Sequence, residues 1–265
     1  MTHSFEKFEG LGNDFIVVSA ESEAGFDCAR VRTLCDRRFG IGADGVLLVL
    51  PAASGGAARM RVLNADGSVP EMCGNGLRCV ALYVAERRGM TAGEVAIETD
   101  AGLRRCVLER DGDTGDVDVD MGVVRALGDR TLTIGGIDVT FSLADAGNPH
   151  AIAYRAAPAE DLARLGPFVA THPSFERGTN VELVRWVDRV IEVSVWERGV
   201  GPTLACGTGA CAVVAVACAR GEAKSGEAVR VRLPGGDLVI THDRETLQTR
   251  MRGPARRVFR GEVLL

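Results

Sequence analysis

Two tetrapeptides in this 265-residue chain have the residue types and spacing for proton-transfer chemistry: Cys73-Gly74-Asn75-Gly76 and Cys206-Gly207-Thr208-Gly209. Each runs directly into an apolar, alanine-rich stretch, 76–88 and 209–220, whose length and pattern predict a helix. Both stretches are apolar nearly all round, which predicts helices buried at the centre of a domain. The first amides of a helix have no partner within it and attract anions. A substrate carboxylate is therefore expected on the backbone of Gly74 and Asn75 in one motif, and of Gly207 and Thr208 in the other. A cysteine at the same end has its thiolate favoured by the helix dipole. Two such thiols on opposite faces of one carbon would suffice to invert it. One removes the proton, the other returns a proton, and converging amide dipoles stabilise the charge that develops between the two steps.

The two motifs belong to a longer repeat. Leu11-Gly12-Asn13-Asp14-Phe15 is answered by Ala146-Gly147-Asn148-Pro149-His150, and Gly42-Ala43-Asp44-Gly45 by Gly178-Thr179-Asn180-Val181. Asn64 stands nine residues before Cys73, as Glu197 stands nine before Cys206. With Asp120-Met121-Gly122 loosely answered by Met251-Arg252-Gly253, these matches keep one order at offsets of 131 to 136 residues, about half the chain. With 33 glycines a single turn matches easily by chance, but an ordered series does not. The spacing predicts an N-terminal half, 1–122, carrying Cys73, and a C-terminal half, 123–253, carrying Cys206. A tail, 254–265, is expected to pack back on the first half.

Alternating apolar and polar residues predict strands over 5–18, 45–50, 58–64, 94–99, 103–108 and 117–121. In the second half they do so over 138–143, 181–184, 190–196, 229–233 and 237–241. Amphipathic helices are expected at 28–39 and 158–171, packed outside. The fold class expected is α/β (α+β): two pseudo-symmetric domains, each a β-sheet or barrel wrapped around a central buried helix, with the active site in the cleft between them.

Composition bounds the alternatives. A net charge of −5, with no basic stripe, argues against a nucleic-acid partner. The longest apolar run, 210–219, is too short to span a bilayer, and no apolar segment follows a basic start. A cytoplasmic protein without membrane partners is expected. Its eight cysteines then read as reduced thiols. Cys28, Cys35, Cys106 and Cys218 are expected as small buried hydrophobes, and Cys79 and Cys211 as packing residues in the first helical turns. There is no Cys-x-x-Cys pair and only four histidines, so no metal site is expected. A cysteine-rich metal-binding or redox-sensing protein is the non-enzyme alternative, and elemental analysis separates it from an enzyme.

Leu11-Gly12-Asn13-Asp14-Phe15, Asn64-Ala65-Asp66-Gly67-Ser68, Met72-Cys73-Gly74-Asn75-Gly76 with Arg78-Cys79, Gly147-Asn148-Pro149-His150, Glu197-Arg198-Gly199 with Gly201, and Ala205-Cys206-Gly207-Thr208-Gly209-Ala210-Cys211 together resemble the signatures of the diaminopimelate epimerases. The resemblance covers nearly the whole chain. It implies interconversion of LL- and meso-2,6-diaminopimelate on the route to lysine and cell-wall peptide, with no cofactor and commonly as a homodimer. It makes Cys73 and Cys206 the acid–base pair and places His150 and Glu197 beside them in the catalytic set. It also assigns the diamino dicarboxylic acid to Asn13, Asn64, Gly74, Asn75, Asn148, Asn180, Glu197, Arg198, Gly207 and Thr208. The residue types suit that ligand. Arg198 grips a carboxylate at two points, asparagines donate and accept, and Glu197 accepts from an ammonium group.

One departure is Gly45, where some members carry Gln. His150 taken alone reads equally as a loop histidine or as an orienting group, and Asn13 and Asn180 alone read as turn formers. Another cofactor-free racemase, or a proline-type epimerase or dehydratase, would use the same two-thiol logic. The number of polar groups set for a distal charged end argues against a small substrate.

Overall fold

Leu11 and Gly12 both take positive φ, 57° and 78°, and this two-residue turn folds the chain's first strands into a hairpin. The strands are β1 (Thr2–Gly10) and β2 (Asn13–Ser19), paired antiparallel from Glu6–Val17 to Gly10–Asn13, where the sequence pattern suggested one strand over 5–18. In the computed structural model, residues 2–70 and 73–264 are described; Met72 of the first cysteine motif lies outside them. The chain divides into two compact units, Met1–Val119 with Gly253–Leu265, and Asp120–Arg252.

The first unit continues with α1 (Cys28–Cys35), β3 (Gly45–Leu50), β4 (Ala58–Asn64), α2 (Gly74–Arg87), β5 (Ala92–Thr99), β6 (Gly102–Asp111) and β7 (Thr114–Val123). Its strands lie in the order β1-β2-β3-β4-β5-β6-β7. The last strand of the chain, β16 (Gln248–Leu264), closes this set, since it pairs antiparallel with β1 from Thr2–Leu264 to Glu9–Arg256 and also neighbours β7. The amide of Arg257 donates to the Asp113 carbonyl at 2.8 Å on the β7 side. Helix α2 packs against β1 through β6, and every residue from Gly74 to Ala85 is buried. That enclosure explains its apolar run, and the one arginine inside it, fully buried Arg78, donates from Nε to the Pro254 carbonyl at 3.1 Å.

The second unit repeats the order: β8 (Arg125–Ile134), β9 (Ile137–Asp145), β10 (Pro149–Tyr154), α3 (Pro158–Ala170), β11 (Asn180–Val187), β12 (Val190–Glu197), the short β13 (Gly201–Thr203), α4 (Gly207–Ala219), β14 (Ala228–Leu233) and β15 (Gly236–His242). Helix α4 is buried from Gly207 to Cys218 and packs against β8, β9, β10, β11 and β15. Its fully buried Val213 and Val214 each contribute about 1.5–3 kcal/mol by leaving water. The two units share their pairing scheme as well. β2–β3 and β4–β5 are parallel in the first, as β10–β11 and β12–β14 are in the second, and β3–β4 and β11–β12 are antiparallel.

The outer helices match expectation with one trimmed end. Asp27 caps α1 by accepting the Arg30 amide at 2.9 Å. The helix stops at Cys35, not at 39, because Asp36 Oδ1 accepts the amides of Arg38 and Phe39 at 2.7 Å and turns the chain away. Each outer helix buries one face, Val31, Leu34 and Cys35 in α1, and Leu162, Leu165 and Val169 in α3. Cys28 departs from expectation: it is exposed, and its thiol donates to the Gly67 carbonyl at 3.3 Å. Strand β8 escaped the sequence pattern because only Leu132 and Ile134 are buried along its ten residues, which leaves little alternation to read.

Register corrects the repeat at one position. Gly45 pairs with Phe15 and Asn64, as Asn180 pairs with His150 while standing opposite Glu197 beside the Val181–Trp196 pair. Asn180 is therefore the counterpart of Gly45 at an offset of 135, the same as for Asn13 and Asn148, and not of Asp44. In the present backbone a Cβ at Gly45 would come within 2.7 Å of the Leu63 carbonyl oxygen, so even a first side-chain atom requires a backbone shift.

Candidate active site

Cys73 is the N-cap of α2, with extended backbone (φ −139°, ψ 91°), and its sulfur accepts the Gly76 amide at 3.3 Å. Cys206 caps α4 in the same way, with φ −122°, ψ 108°, and its sulfur accepts the Gly209 amide at 3.3 Å. The sulfur thus replaces the usual oxygen of an N-cap and takes up one orphan amide of the first turn. The second glycine of each motif makes room for this. A Cβ at Gly76 would lie 2.9 Å from Leu47 Cδ2 and 3.1 Å from the Cys73 sulfur. At Gly209 it would lie 2.6 Å from Glu182 Oε1 and 3.3 Å from the Cys206 sulfur. The cradle residues Gly74 and Asn75, and Gly207 and Thr208, are the first two helical residues after each thiol.

In the first unit Asn13, at the start of β2, receives the Asn75 Nδ2 donor on its Oδ1 at 3.1 Å, and its own Nδ2 donates to Asp44 Oδ2 at 2.8 Å. Asp44 also accepts the Asp14 amide at 3.1 Å and an Arg37 Nη2 bond at 2.7 Å. Asp14 in turn pairs with buried Lys7 at 2.5 Å and with Arg37 at 2.6 Å. Asn64, at the end of β4, donates from Nδ2 to Ser68 Oγ at 3.0 Å within the Asp66-Gly67 turn. Asn13, Asn75 and Cys73 are therefore set beside one helix end, with Asp44 as the group that fixes the Asn13 amide. Nothing in the repeat distinguished Asp44 from an ordinary turn aspartate.

In the second unit His150, Asn180, Glu182 and Glu197 stand on neighbouring strands β10, β11 and β12. His150 Nδ1 lies 2.7 Å from Glu182 Oε1, and both side chains are fully buried. His150 Nε2 lies 2.9 Å from Asn148 Oδ1, and Asn148 Nδ2 donates to Thr208 Oγ1 at 3.4 Å. Thr208 Oγ1 is 3.4 Å from the Cys206 sulfur. Asn180 Oδ1 accepts the Arg198 amide at 2.9 Å while its Nδ2 donates to the Pro149 carbonyl at 3.2 Å, so it joins β10 to the 197–201 turn. Arg198 Nη1 donates to the Arg177 carbonyl at 2.9 Å, and Thr203 Oγ1 donates to Glu197 Oε1 at 2.7 Å. Glu182 was not read from the sequence. It fell inside the predicted strand 181–184, where a lone glutamate reads as solvent-facing.

The electrostatics of Cys206 differ from the expectation of an activated thiol. Burial pushes its ionisation well above the ordinary range, and the Glu197 and Glu182 carboxylates push the same way. The Thr208 hydroxyl and the Gly209 amide pull it back. Burial is the leading cause, and the two carboxylates add to it against the Thr208 hydroxyl and the Gly209 amide. Glu197 is itself raised, first by burial and also by Glu182, while the Thr203 hydroxyl, His150 and a hydrogen bond with Cys206 oppose the rise. Burial and the neighbouring carboxylates thus favour the Cys206 thiol over its thiolate, and burial likewise disfavours ionisation of Glu197. Cys79 and Cys211 are fully buried packing residues, as their place in the first helical turns suggested.

Two compact α/β units of one topology, each with a cysteine capping its central helix, define an epimerase-type fold. Solved structures share it: a hydroxyproline epimerase from Agrobacterium vitis superposes with a TM-score of 0.78 at 18% identity, covering 99% of this chain and 91% of that one. A Bacillus anthracis phenazine biosynthesis protein of the PhzF family does so with a TM-score of 0.76 at 15% identity, covering both chains fully. The sequence goes further than the fold. The profile of the family described as diaminopimelate epimerase matches residues 5–127 and 142–258. A diaminopimelate epimerase of Desulforudis audaxviator is 43% identical across 97% of this chain and 98% of the relative. One of Thermosynechococcus vestitus is 40% identical across 99% and 100%. The chain belongs to the diaminopimelate epimerase family, and it is an epimerase.

Proposed function

We propose that the protein interconverts LL- and meso-2,6-diaminopimelate by a two-base mechanism that uses no cofactor, with Cys73 and Cys206 as the bases. The observation that carries this reading is the duplicated thiol cap: each cysteine sulfur sits 3.3 Å from an amide at the start of a buried helix. One thiolate removes the α-proton while the opposite thiol delivers a proton to the other face. The reacting carboxylate accepts from the first-turn amides of Gly74, Asn75, Gly207 and Thr208, which stabilises the enediolate-like charge. Glu197 accepts from the α-ammonium, and Arg198 and the asparagines Asn13, Asn64, Asn148 and Asn180 hold the rest of the substrate. A bound ammonium next to Glu197 offsets the negative field that keeps Cys206 protonated, so substrate binding itself promotes ionisation.

The product would serve lysine and peptidoglycan precursor synthesis. Eight free cysteines suit a reducing cytoplasm. Among the described residues no helix is long and apolar enough to cross a membrane. We take a homodimer as the working form, from the family. The test is direct: purified protein and LL-diaminopimelate, with no added cofactor, should yield the meso isomer. Absence of interconversion, with proline or 4-hydroxyproline turned over instead, would replace this reading.

A further inference from the structure

Asp44, just ahead of β3, stands between the segments that carry Asn13 and Asn64. Its amide donates to the Asp14 carbonyl at 2.9 Å and its carbonyl accepts the Ala65 amide at 3.0 Å, so its backbone is held from both sides. Its carboxylate meets three groups. Oδ1 accepts from Arg37 Nη2 at 2.7 Å, while Oδ2 accepts the Asp14 amide at 3.1 Å and Asn13 Nδ2 at 2.8 Å. A guanidinium and a backbone amide can only donate. Both carboxylate oxygens are therefore committed as acceptors, and the Asn13 side chain must turn its NH2 toward Oδ2. The same logic passes one residue further. With its NH2 on Asp44, Asn13 presents Oδ1 to Asn75, whose Nδ2 donates to it at 3.1 Å. Reversing Asn75 would set oxygen against oxygen, and reversing Asn13 would set its oxygen against the Asp44 carboxylate. Buried Lys7 holds Asp14 at 2.5 Å, and Arg37 spans Asp14 and Asp44, so the frame around Asn13 is tied at several points.

We infer that Asp44 is a positioning residue of the substrate site: by accepting from the Asn13 NH2 it fixes which side of that amide donates and which accepts, and with it the amide of Asn75 two residues after Cys73. This rests on the proposed role of Asn13 in holding the substrate. An asparagine amide offers two N–H donors and two oxygen lone pairs. Asp44 takes one donor and Asn75 takes one lone pair. One donor and one acceptor of Asn13 are left for a ligand, each in a fixed place. A zwitterionic end of the substrate meets a donor with its carboxylate and an acceptor with its ammonium, so a reversed amide would present the wrong group to each. Asp44 acts here as an acceptor, and its charge is not what the site uses.

Two substitutions separate the acceptor from the charge. Asp44→Asn removes the charge and keeps one acceptor oxygen. The Asp14 amide belongs to fixed backbone, so that oxygen stays on Asp14 and Asn13, and the new NH2 turns to Arg37. Arg37 is exposed and swings aside with its grip on Asp14 intact. Asp44→Ala removes acceptor and charge together. Asn13 holds a part of the substrate away from the proton transfer, so its grip is the same in ground and transition states and the effect falls on KM. KM for diaminopimelate should rise about tenfold in Asp44→Ala, the scale of one hydrogen bond to a charged group, and stay within about threefold of wild type in Asp44→Asn, with kcat little changed in both. In an Asn13→Ala background, Asp44→Ala should add less than a factor of about two. Equal effects of Asp44→Asn and Asp44→Ala, or an Asp44→Ala effect that persists in full without Asn13, overturn the inference.

If Asp44→Ala melts without a cooperative transition, the wild-type protein still decides. 15N relaxation of the Asn13 side-chain amide should give an order parameter above about 0.6, the limit for a flexible group, and a lower value overturns the inference. A wild-type protein that fails to interconvert the diaminopimelate isomers defeats the proposed function instead. Wild-type turnover, with Asp44→Asn and Asp44→Ala alike in KM, defeats only the role of Asp44.

Discussion

Glu182 Oε1 occupies the space beside Gly209, 2.6 Å from where a Cβ on that residue would project. The second glycine of the Cys206 motif is thereby tied to a buried strand carboxylate as well as to the sulfur at 3.3 Å. Helix-end geometry and the charge cluster beneath it are one packing problem.

Gly209→Ala tests this. Gly209 lies in the first turn of α4, where alanine gains at most the roughly 1 kcal/mol it has over glycine in a helix interior, while overpacking costs about 1–3 kcal/mol, so the melting temperature should fall by a few degrees. Activity should drop at least about tenfold (about 1.4 kcal/mol), since Glu182 must leave His150. Wild-type kcat with unchanged KM would show that the contact is yielding and without consequence.

Glu197 carries a raised carboxyl, chiefly through burial. A group raised by folding stabilises most below its unfolded value, near 4.5, and that contribution is lost as pH rises through the folded value. Glu197→Gln removes this dependence. The melting temperature of the variant should therefore exceed that of wild type by a margin that widens from pH 5 to pH 8, while turnover is lost. A margin that narrows over that range would mean that Glu197 ionises more readily folded than unfolded.

Arg198→Lys should raise KM about tenfold or more, because an ammonium cannot hold a carboxylate at two points. The guanidinium already donates to the Arg177 carbonyl at 2.9 Å, which fixes its plane. Steady-state kinetics on both isomers is the check, and unchanged KM and kcat would remove Arg198 from the substrate site.

Sequence periodicity made the central helices legible because α4 is enclosed and almost wholly apolar, and α2 is apolar from Cys79 to Ala85 apart from Tyr83. The thiol caps were legible because Cys-Gly-x-Gly recurs with its context. Three things were hidden. The β1–β2 turn depends on positive φ at Leu11, which no alternation rule detects. The repeat shifts by one residue where Gly45, not Asp44, answers Asn180, a matter of strand register. Glu182 looked like any strand glutamate, since its burial follows from Gly209 and His150 folding over it. The unfavourable electrostatics of Cys206 have the same origin: the helix end is local and readable, while the opposing carboxylates arrive from other strands.

The central claim is that two cysteines act on opposite faces of one carbon, and isotope exchange in D2O tests it most directly. Each isomer should be incubated with wild-type, Cys73→Ala and Cys206→Ala protein, and deuterium read at the inverted carbon by mass spectrometry. With two bases, wild-type product carries solvent deuterium from its first appearance while recovered substrate labels more slowly, because the abstracted proton stays on the first sulfur. Each alanine variant should lose inversion, and any residual exchange should favour opposite isomers in the two. Equal labelling of substrate and product by wild type, or near wild-type epimerisation by either variant, would contradict the account.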